Sequence, residues 1–405
     1  MAEGEAQVTN ASSGDDCRRT RIIMEQLGAE FESIGRNSWK ILGCGGNYPK
    51  LDETLDAGNS GTTLRLLAGL LAGKVNSYRL DGDDSLRLRP MKRIKTPLEA
   101  LGAKVELAEQ DHPPLTVQGG SLQSCEYESS VASAQVKSAF LLAAMNAKGE
   151  SAYREPALSR DHSERMLGSM GVEMTIDSEN WLRIMGPQIP RATNFEVPGD
   201  ISSSAFILAA ALLIEGANVV VKKVGVNPTR TGFLRVVEGM GGKIASYHPR
   251  EELGEPVADL LARYSLLEGV ELLPEDVPSL IDEIPVLAVL ASQAKGPSEF
   301  HGLGELRHKE SDRLAACLRM LESFGADASV LGDTLRIEGG ARLRSCEFDP
   351  EGDHRMAMAA TLLALVARGE SRILGTDCVE TSFPEFPTLL KRMSQGALEI
   401  IEEQV

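Results

Sequence analysis

A glycine recurs along this chain at intervals of roughly 70 to 85 residues, each time after a bulky apolar residue and before a short alternating stretch. The copies read QLGAEFE at Gly28, ALGAKVEL at Gly102, SMGVEMTI at Gly171, GMGGKIAS at Gly241 and SFGADASV at Gly325, with a weaker SQGALEII at Gly396. Each reads as a helix closed by a glycine C-cap and turning into a strand. A second pattern runs in phase: a long Ala/Leu-rich helix, a terminal glycine, then a strand. Its glycines are Gly73, Gly149, Gly216, Gly296 and Gly369. These helices are apolar almost all round and are predicted to be buried, whereas those of the first pattern carry charge and lie outside. The opening stretch MAEGEAQVTN falls into the same register and makes Gly4 the sixth terminal glycine. No helix precedes it, so the repeat predicts that the first buried helix and the strand leading into it are missing.

Six units in phase divide into two domains of three, residues 1–198 and 199–405. The fold class is α/β, each unit of roughly 70 residues holding a buried helix, a strand, an outer helix and further strands, with the first unit incomplete. At 405 residues the chain is too long for one ordinary core. Its net charge of -17 argues against nucleic acid as a partner, because phosphate backbones need basic surface. A local basic pocket for a small anion stays open. Six scattered cysteines without a CxxC pair fit reduced thiols in the cytoplasm. Apolar runs such as AFILAAALLI are too short to span a bilayer.

Polar residues gather just before the buried helices: DAGNSGTTLR, SVASAQVKSA, VPGDISSSAF, SLIDEIPV and EGDHRMAM. Helix N-termini carry free N–H groups and favour anions. Parallel buried helices would bring these ends to one face of each domain, and two such faces opposed would form a cleft for anions. GNSGTT alone is also explained by capping. Asp353, His354 and Arg355 at the start of an apolar helix point to a ligand, or to a capping salt bridge between Asp353 and Arg355. In ELRHKESDR, Lys309 and Arg313 share a face if the segment is helical. A further basic cluster holds Arg87, Arg89, Lys92 and Arg93. No metal spacing, nucleophile elbow or dinucleotide fingerprint appears. The residues suggest a metal-free site that binds small polyanions through Arg and Lys, with Asp282 and Glu310 as proton carriers.

LDAGNSGTTLRLLAGLLAG, GDDSLRLRPM, SAQVKSAFLLAA, SRDHSERML, LRHKESDR and GDHRMAMA, in this order over essentially the whole chain, resemble the EPSP synthases, the 3-phosphoshikimate 1-carboxyvinyltransferases. The resemblance implies two domains of three βαβαββ units. It implies transfer of the enolpyruvyl group of phosphoenolpyruvate to the 5-hydroxyl of shikimate 3-phosphate, on the shikimate pathway to chorismate and the aromatic amino acids. The enzyme would be a cytoplasmic monomer without cofactor or metal, acting on small molecules and on neither nucleic acid nor membrane. Gly61, Arg89, Gln135, Arg313 and Arg355 are expected at phosphoenolpyruvate, with Asn59 and Thr62 supporting that loop. Ser133, Ala134, Gln135, Arg160, Asp282 and Lys309 are expected at shikimate 3-phosphate. Asp282, Glu310 and Lys309 would move protons. SAQVK resembles the class often tolerant of glyphosate.

Two departures stand out. Thr381 occupies the place of a lysine that some members carry before Phe-Pro. The family's opening Gly-x-Lys-Ser motif and the arginine after it have no counterpart before Gly4. With that Lys and Arg absent, this chain is expected to be weakly active. A non-catalytic anion-binding remnant is the alternative, and the sibling transferase acting on UDP-N-acetylglucosamine is a more distant one, since Cys125 lies in no matching loop motif.

Overall fold

The computed structural model describes residues 1–394 together with 398 and 399, so the sixth copy of the glycine pattern, at Gly396, lies outside the described residues. The chain forms two compact units: Met1–Val197 with Glu252–Glu255, and Pro198–Glu251 with Pro256–Val405.

In the first unit the helices are α1 (Asp15–Gln26), α2 (Gly61–Ala72), α3 (Lys92–Ala100), α4 (Ala134–Ala144) and α5 (His162–Ser169). The second unit holds α6 (Ile201–Leu213), α7 (Gly232–Gly239), α8 (Ile284–Gln293), α9 (Arg313–Ser323), α10 (His354–Val366) and α11 (Phe386–Met393). Helices α2, α4, α6, α8 and α10 are buried, as their sequences require, and their alanines and leucines fill both cores. The helices that precede the first glycine pattern bury only one stripe; α3 buries Ile94, Pro97 and Leu98 while Lys92 and Glu99 face water.

The strands repeat with the helices. In the second repeat, Leu55–Asp56 runs parallel to Ser77–Asp81 across α2, the βαβ crossover, and Leu115–Gln118 and Lys104–Leu107 extend the sheet antiparallel. The same parallel pair brackets α4, α8 and α10. All five described glycines of the first pattern are left-handed, with φ of +94° at Gly28, +95° at Gly102, +85° at Gly171, +79° at Gly241 and +82° at Gly325. Only glycine reverses the chain there at low cost.

The second pattern holds with one difference. Gly149, Gly216, Gly296 and Gly369 are left-handed, but Gly73 has a φ of -85°. Its reason for being glycine is space, since a Cβ there would stand 2.3 Å from Asn146 Cβ. Gly4, at φ +100°, matches Gly149 in conformation and lies in the strand Glu3–Thr9. Among the described residues no buried helix precedes that strand. Its parallel neighbour is Phe195–Glu196, from the end of the same unit. The first unit therefore packs α2 against α4 where the second packs α6, α8 and α10 together. Among the described residues no helix is long and apolar enough to cross a membrane.

The α2–α4 contact is close because Gly69 lets the helices touch: a Cβ there would fall 2.1 Å from the Ala139 carbonyl oxygen. Gly69→Ala is expected to cost roughly 2–3 kcal/mol by overpacking. Gly102→Ala, with open space but a left-handed backbone, is expected to cost about 1 kcal/mol. Urea denaturation of the two variants checks the order.

Candidate active site

A helix buried on all sides can satisfy its first N–H groups only at its end, so the caps decide what stands there. At α2 the cap is Ser60, whose Oγ accepts from Thr63 N at 3.2 Å. Asn59 is thereby free for another task. Its Oδ1 accepts from Arg89 Nη2 at 2.6 Å, and its Nδ2 donates to Asp83 at 2.9 Å. Gly61 leaves room beside two guanidiniums, for a Cβ there would stand 3.2 Å from Arg65 Nη1 and 3.3 Å from Arg89 Nη1. Arg65 donates to Gln135 Oε1 at 2.5 Å, and Gln135 Nε2 donates to Thr62 Oγ1 at 2.7 Å. The first turns of α2 and α4 are thus tied through Gln135.

Arg65 carries no signal in the sequence beyond its motif. Its place one turn after Gly61 on the same helix face was the available signal. It is 6 % exposed, its Nε meets no acceptor among the described residues, and it forms no ion pair there. Burial, then Arg93 and Arg89, lower its pKa to about 9. A buried cation without a counter-ion is costly and favours a bound anion. Ser133 is the N-cap residue of α4 without a side-chain cap bond, and Ala134 is the first residue of the helix. Arg160 lies in the segment before α5. Of the basic cluster, Arg87 pairs with Asp81 at 2.8 Å and Lys92 with Asp111 at 3.7 Å.

In the second unit the N-termini of α6, α8 and α10 converge through charged side chains. Asp282, just before α8, has three cations around its carboxylate: Lys309 at 3.2 Å, Arg313 at 3.6 Å and Arg230 at 3.7 Å. Arg355, in the first turn of α10, donates to the Asp282 carbonyl oxygen at 3.1 Å. Arg230 also reaches Ser202 in the first turn of α6, and Ser202 donates to Glu283. Glu310 pairs with Arg313 at 2.5 Å. Arg230 and Glu283 went unremarked in the sequence because only the fold brings residues 202, 230 and 283 together.

Two sequence expectations change. Lys309 does not share a helical face with Arg313, because α9 begins only at Arg313 and Lys309 follows a 3-10 turn, Gly304–His308. Asp282 is what brings both toward one point. Asp353 does cap α10, accepting from the backbone N–H of Arg355 and Met356, but its salt-bridge partner is Arg313 at 2.8 Å rather than the Arg355 side chain. That pair is fully buried, at 0 % and 1 % exposure. Burial alone would raise the Asp353 carboxyl; Arg313 overrides it and holds the pKa below its ordinary value. Thr381 ends a 3-10 turn, Thr376–Thr381.

The paired repeat units and their charged helix N-termini define an enolpyruvyl-transferase fold. The solved enolpyruvyl transferase NikO from Streptomyces tendae shares it with a TM-score of 0.78 over 98% of this chain and 90% of that one, at 16% identity. The family model for EPSP synthase (3-phosphoshikimate 1-carboxyvinyltransferase) matches residues 1–390. The 3-phosphoshikimate 1-carboxyvinyltransferase of Desulfitobacterium hafniense is 44% identical over 399 residues, covering 98% of this chain and 91% of the relative. An EPSP synthase from Acinetobacter baumannii superposes with a TM-score of 0.87 at 37% identity, covering 97% of this chain and 90% of that one. The chain belongs to the EPSP synthase family.

His354 gives the site a pH signature. Burial first, then Arg355 and Arg313, depress its pKa from 6.5 to about 4. Between those values the unfolded chain binds a proton that the folded chain refuses. The contribution of His354 to stability is therefore complete above pH 6.5 and is lost as pH falls toward 4. His354→Gln is expected to flatten the fall in urea midpoint between about pH 7 and about pH 4.5.

Proposed function

We propose that the chain transfers the enolpyruvyl group of phosphoenolpyruvate to the 5-hydroxyl of shikimate 3-phosphate and releases phosphate, acting as a monomer in the cytoplasm. The observation that carries this reading is Asp282 among Lys309, Arg313 and Arg230, in a chain of this family. Both substrates carry phosphate and carboxylate groups, which call for several fixed cations. The reaction also moves protons between oxygen and carbon, which calls for a carboxylate and an amine in contact.

In the first unit, Arg89 and Gln135 serve phosphoenolpyruvate beside Gly61, with Asn59 and Thr62 fixing those two side chains. Arg65 adds a second buried guanidinium there. Ser133, Ala134, Gln135 and Arg160 serve shikimate 3-phosphate. In the second unit, Arg313 and Arg355 bind phosphoenolpyruvate, and Lys309 with Asp282 bind shikimate 3-phosphate.

The chemistry is addition followed by elimination. Asp282 accepts the proton of the 5-hydroxyl as its oxygen bonds to C2 of phosphoenolpyruvate, and a proton from Glu310 or Lys309 makes the C3 methylene a methyl. The tetrahedral intermediate then loses phosphate from C2; the phosphate takes up the proton held by Asp282, while the group that protonated C3 takes a proton back from the methyl and restores the double bond. General acid–base groups of this kind contribute typically 10²–10⁴-fold.

Asp282→Asn keeps an oxygen that accepts from the substrate hydroxyl, so it is expected to lower phosphate release by roughly 10²–10⁴-fold while weakening shikimate 3-phosphate binding far less. Coupled phosphate detection and calorimetric binding on the same preparation read the two quantities. Binding of both substrates by the unmodified chain without any phosphate release would instead support a binding protein.

A further inference from the structure

One buried charged cluster lies outside the groups assigned so far. Lys137, two residues after Gln135 on α4, is 3 % exposed. Its Nζ meets Glu155 Oε1 at 2.9 Å, Glu164 Oε1 at 2.8 Å and the Ser159 carbonyl oxygen at 3.4 Å. The two carboxylates are themselves largely buried, at 9 % and 15 % side-chain exposure. Their other oxygens, Glu155 Oε2 and Glu164 Oε2, meet no donor among the described residues. Two carboxylates against one lysine is a poor way to stabilise a core, since an apolar trio of similar volume would avoid the desolvation. Burial accordingly pushes the Glu164 carboxyl up, against the pull of Lys137.

What the cluster does accomplish is geometric. Glu155 Oε1 accepts from Ser159 N at 2.8 Å and from Ser159 Oγ at 2.9 Å, which folds the segment 155–159 back on itself directly before Arg160. Lys137 fastens that folded segment to α4 at both Glu155 and the Ser159 carbonyl. One residue further, Ser138 Oγ meets Ser163 Oγ at 2.6 Å and fastens α4 to α5. The ties thus join the helix that starts at Ser133, Ala134 and Gln135 to the backbone on both sides of Arg160.

We infer that Glu155 and Lys137 are positioning residues for shikimate 3-phosphate, holding Arg160 in register with the N-terminal turn of α4 so that both meet the substrate as one rigid surface. The inference rests on the reading that Arg160 and Ser133–Gln135 bind that substrate. Glu155 and Lys137 touch no substrate in this scheme. Their effect passes through the backbone at Ser159 and through Arg160.

The test is a double-mutant cycle in the full chain, read by calorimetric binding of shikimate 3-phosphate. Glu155→Ala leaves Lys137 in a one-to-one pair with Glu164, so the variant retains a balanced core. It is expected to weaken binding about 10-fold, and Lys137→Met is expected to act in the same direction. In an Arg160→Ala background the effect of Glu155→Ala is expected to shrink below about 3-fold, because the group being positioned is gone. Glu155→Gln keeps an acceptor for the Ser159 N–H and is expected to bind within about 2-fold of the unmodified chain. If Arg160→Ala weakens binding but Glu155→Ala does not, or if Glu155→Ala has the same effect in both backgrounds, the inference falls while the substrate reading stands. If Arg160→Ala leaves binding unchanged, the substrate reading fails and takes the inference with it.

Discussion

Everything in this structure that bears on chemistry follows from one constraint, that a helix sealed on all sides still has free N–H groups at its first turn. Those groups cannot be left in an apolar core. At α2, α6 and α10 the chain answers with a side-chain cap at the helix N-terminus and apolar residues along the shaft. Ser60, Asp200 and Asp353 each accept from backbone N–H groups of the following turn. A cap that is itself charged and buried then needs a partner, and the partner needs others. Asp353 requires Arg313, and Arg313 carries Glu310 and Asp282 with it. Capping α10 thereby assembles a cluster of ionisable groups that no single segment of the chain would produce.

The glycines set the distance at which this happens. The left-handed residues from Gly28 to Gly325 end the outer helices and send the chain straight into a strand. Inside the core Gly69 works differently, by letting α2 and α4 approach until backbone meets backbone. That approach is what allows Gln135, on α4, to bond both Thr62 and Arg65 on α2. A larger residue at Gly69 would push the two helices apart one turn beyond Arg65.

The repeat, its phase and the burial of its helices were legible in the sequence, because each depends on local pattern: a glycine at the end of a helix, an apolar surface all round it. Residues inside quoted motifs were legible as members of a site. Their tasks were less so. Asn59 and Ser60 are both good caps on paper, and only the structure shows that Ser60 caps while Asn59 holds Arg89. Arg313 and Lys309 would be neighbours on one face only if their segment were helical; the geometry that matters is that both approach Asp282. Lys137 stands in an apolar helix with its carboxylates 18 and 27 positions away, so nothing local in the sequence marks the pairing. Partners supplied by another element leave no periodic trace, so sequence pattern finds the place and misses the pairing.

The two units solve the same problem with opposite electrostatics. In the first, Arg65 is buried against the neutral amide of Gln135 and the Pro90 carbonyl oxygen, and neither cancels its charge. The positive field at the start of α2 is therefore left over for a ligand, and the helix dipole adds to it. In the second, Arg313 is matched by Asp353, Glu310 and Asp282, which hold its proton even more firmly than in water despite its burial. Such a guanidinium is fixed in place and cannot serve as an acid. In the proposed scheme, proton traffic there falls to Asp282, Glu310 and Lys309, whose side chains keep 12%, 28% and 26% of their exposure while Arg313 keeps 1%. Buried pairing makes the frame, and the proposed scheme gives the reaction to the less deeply buried members of the same network.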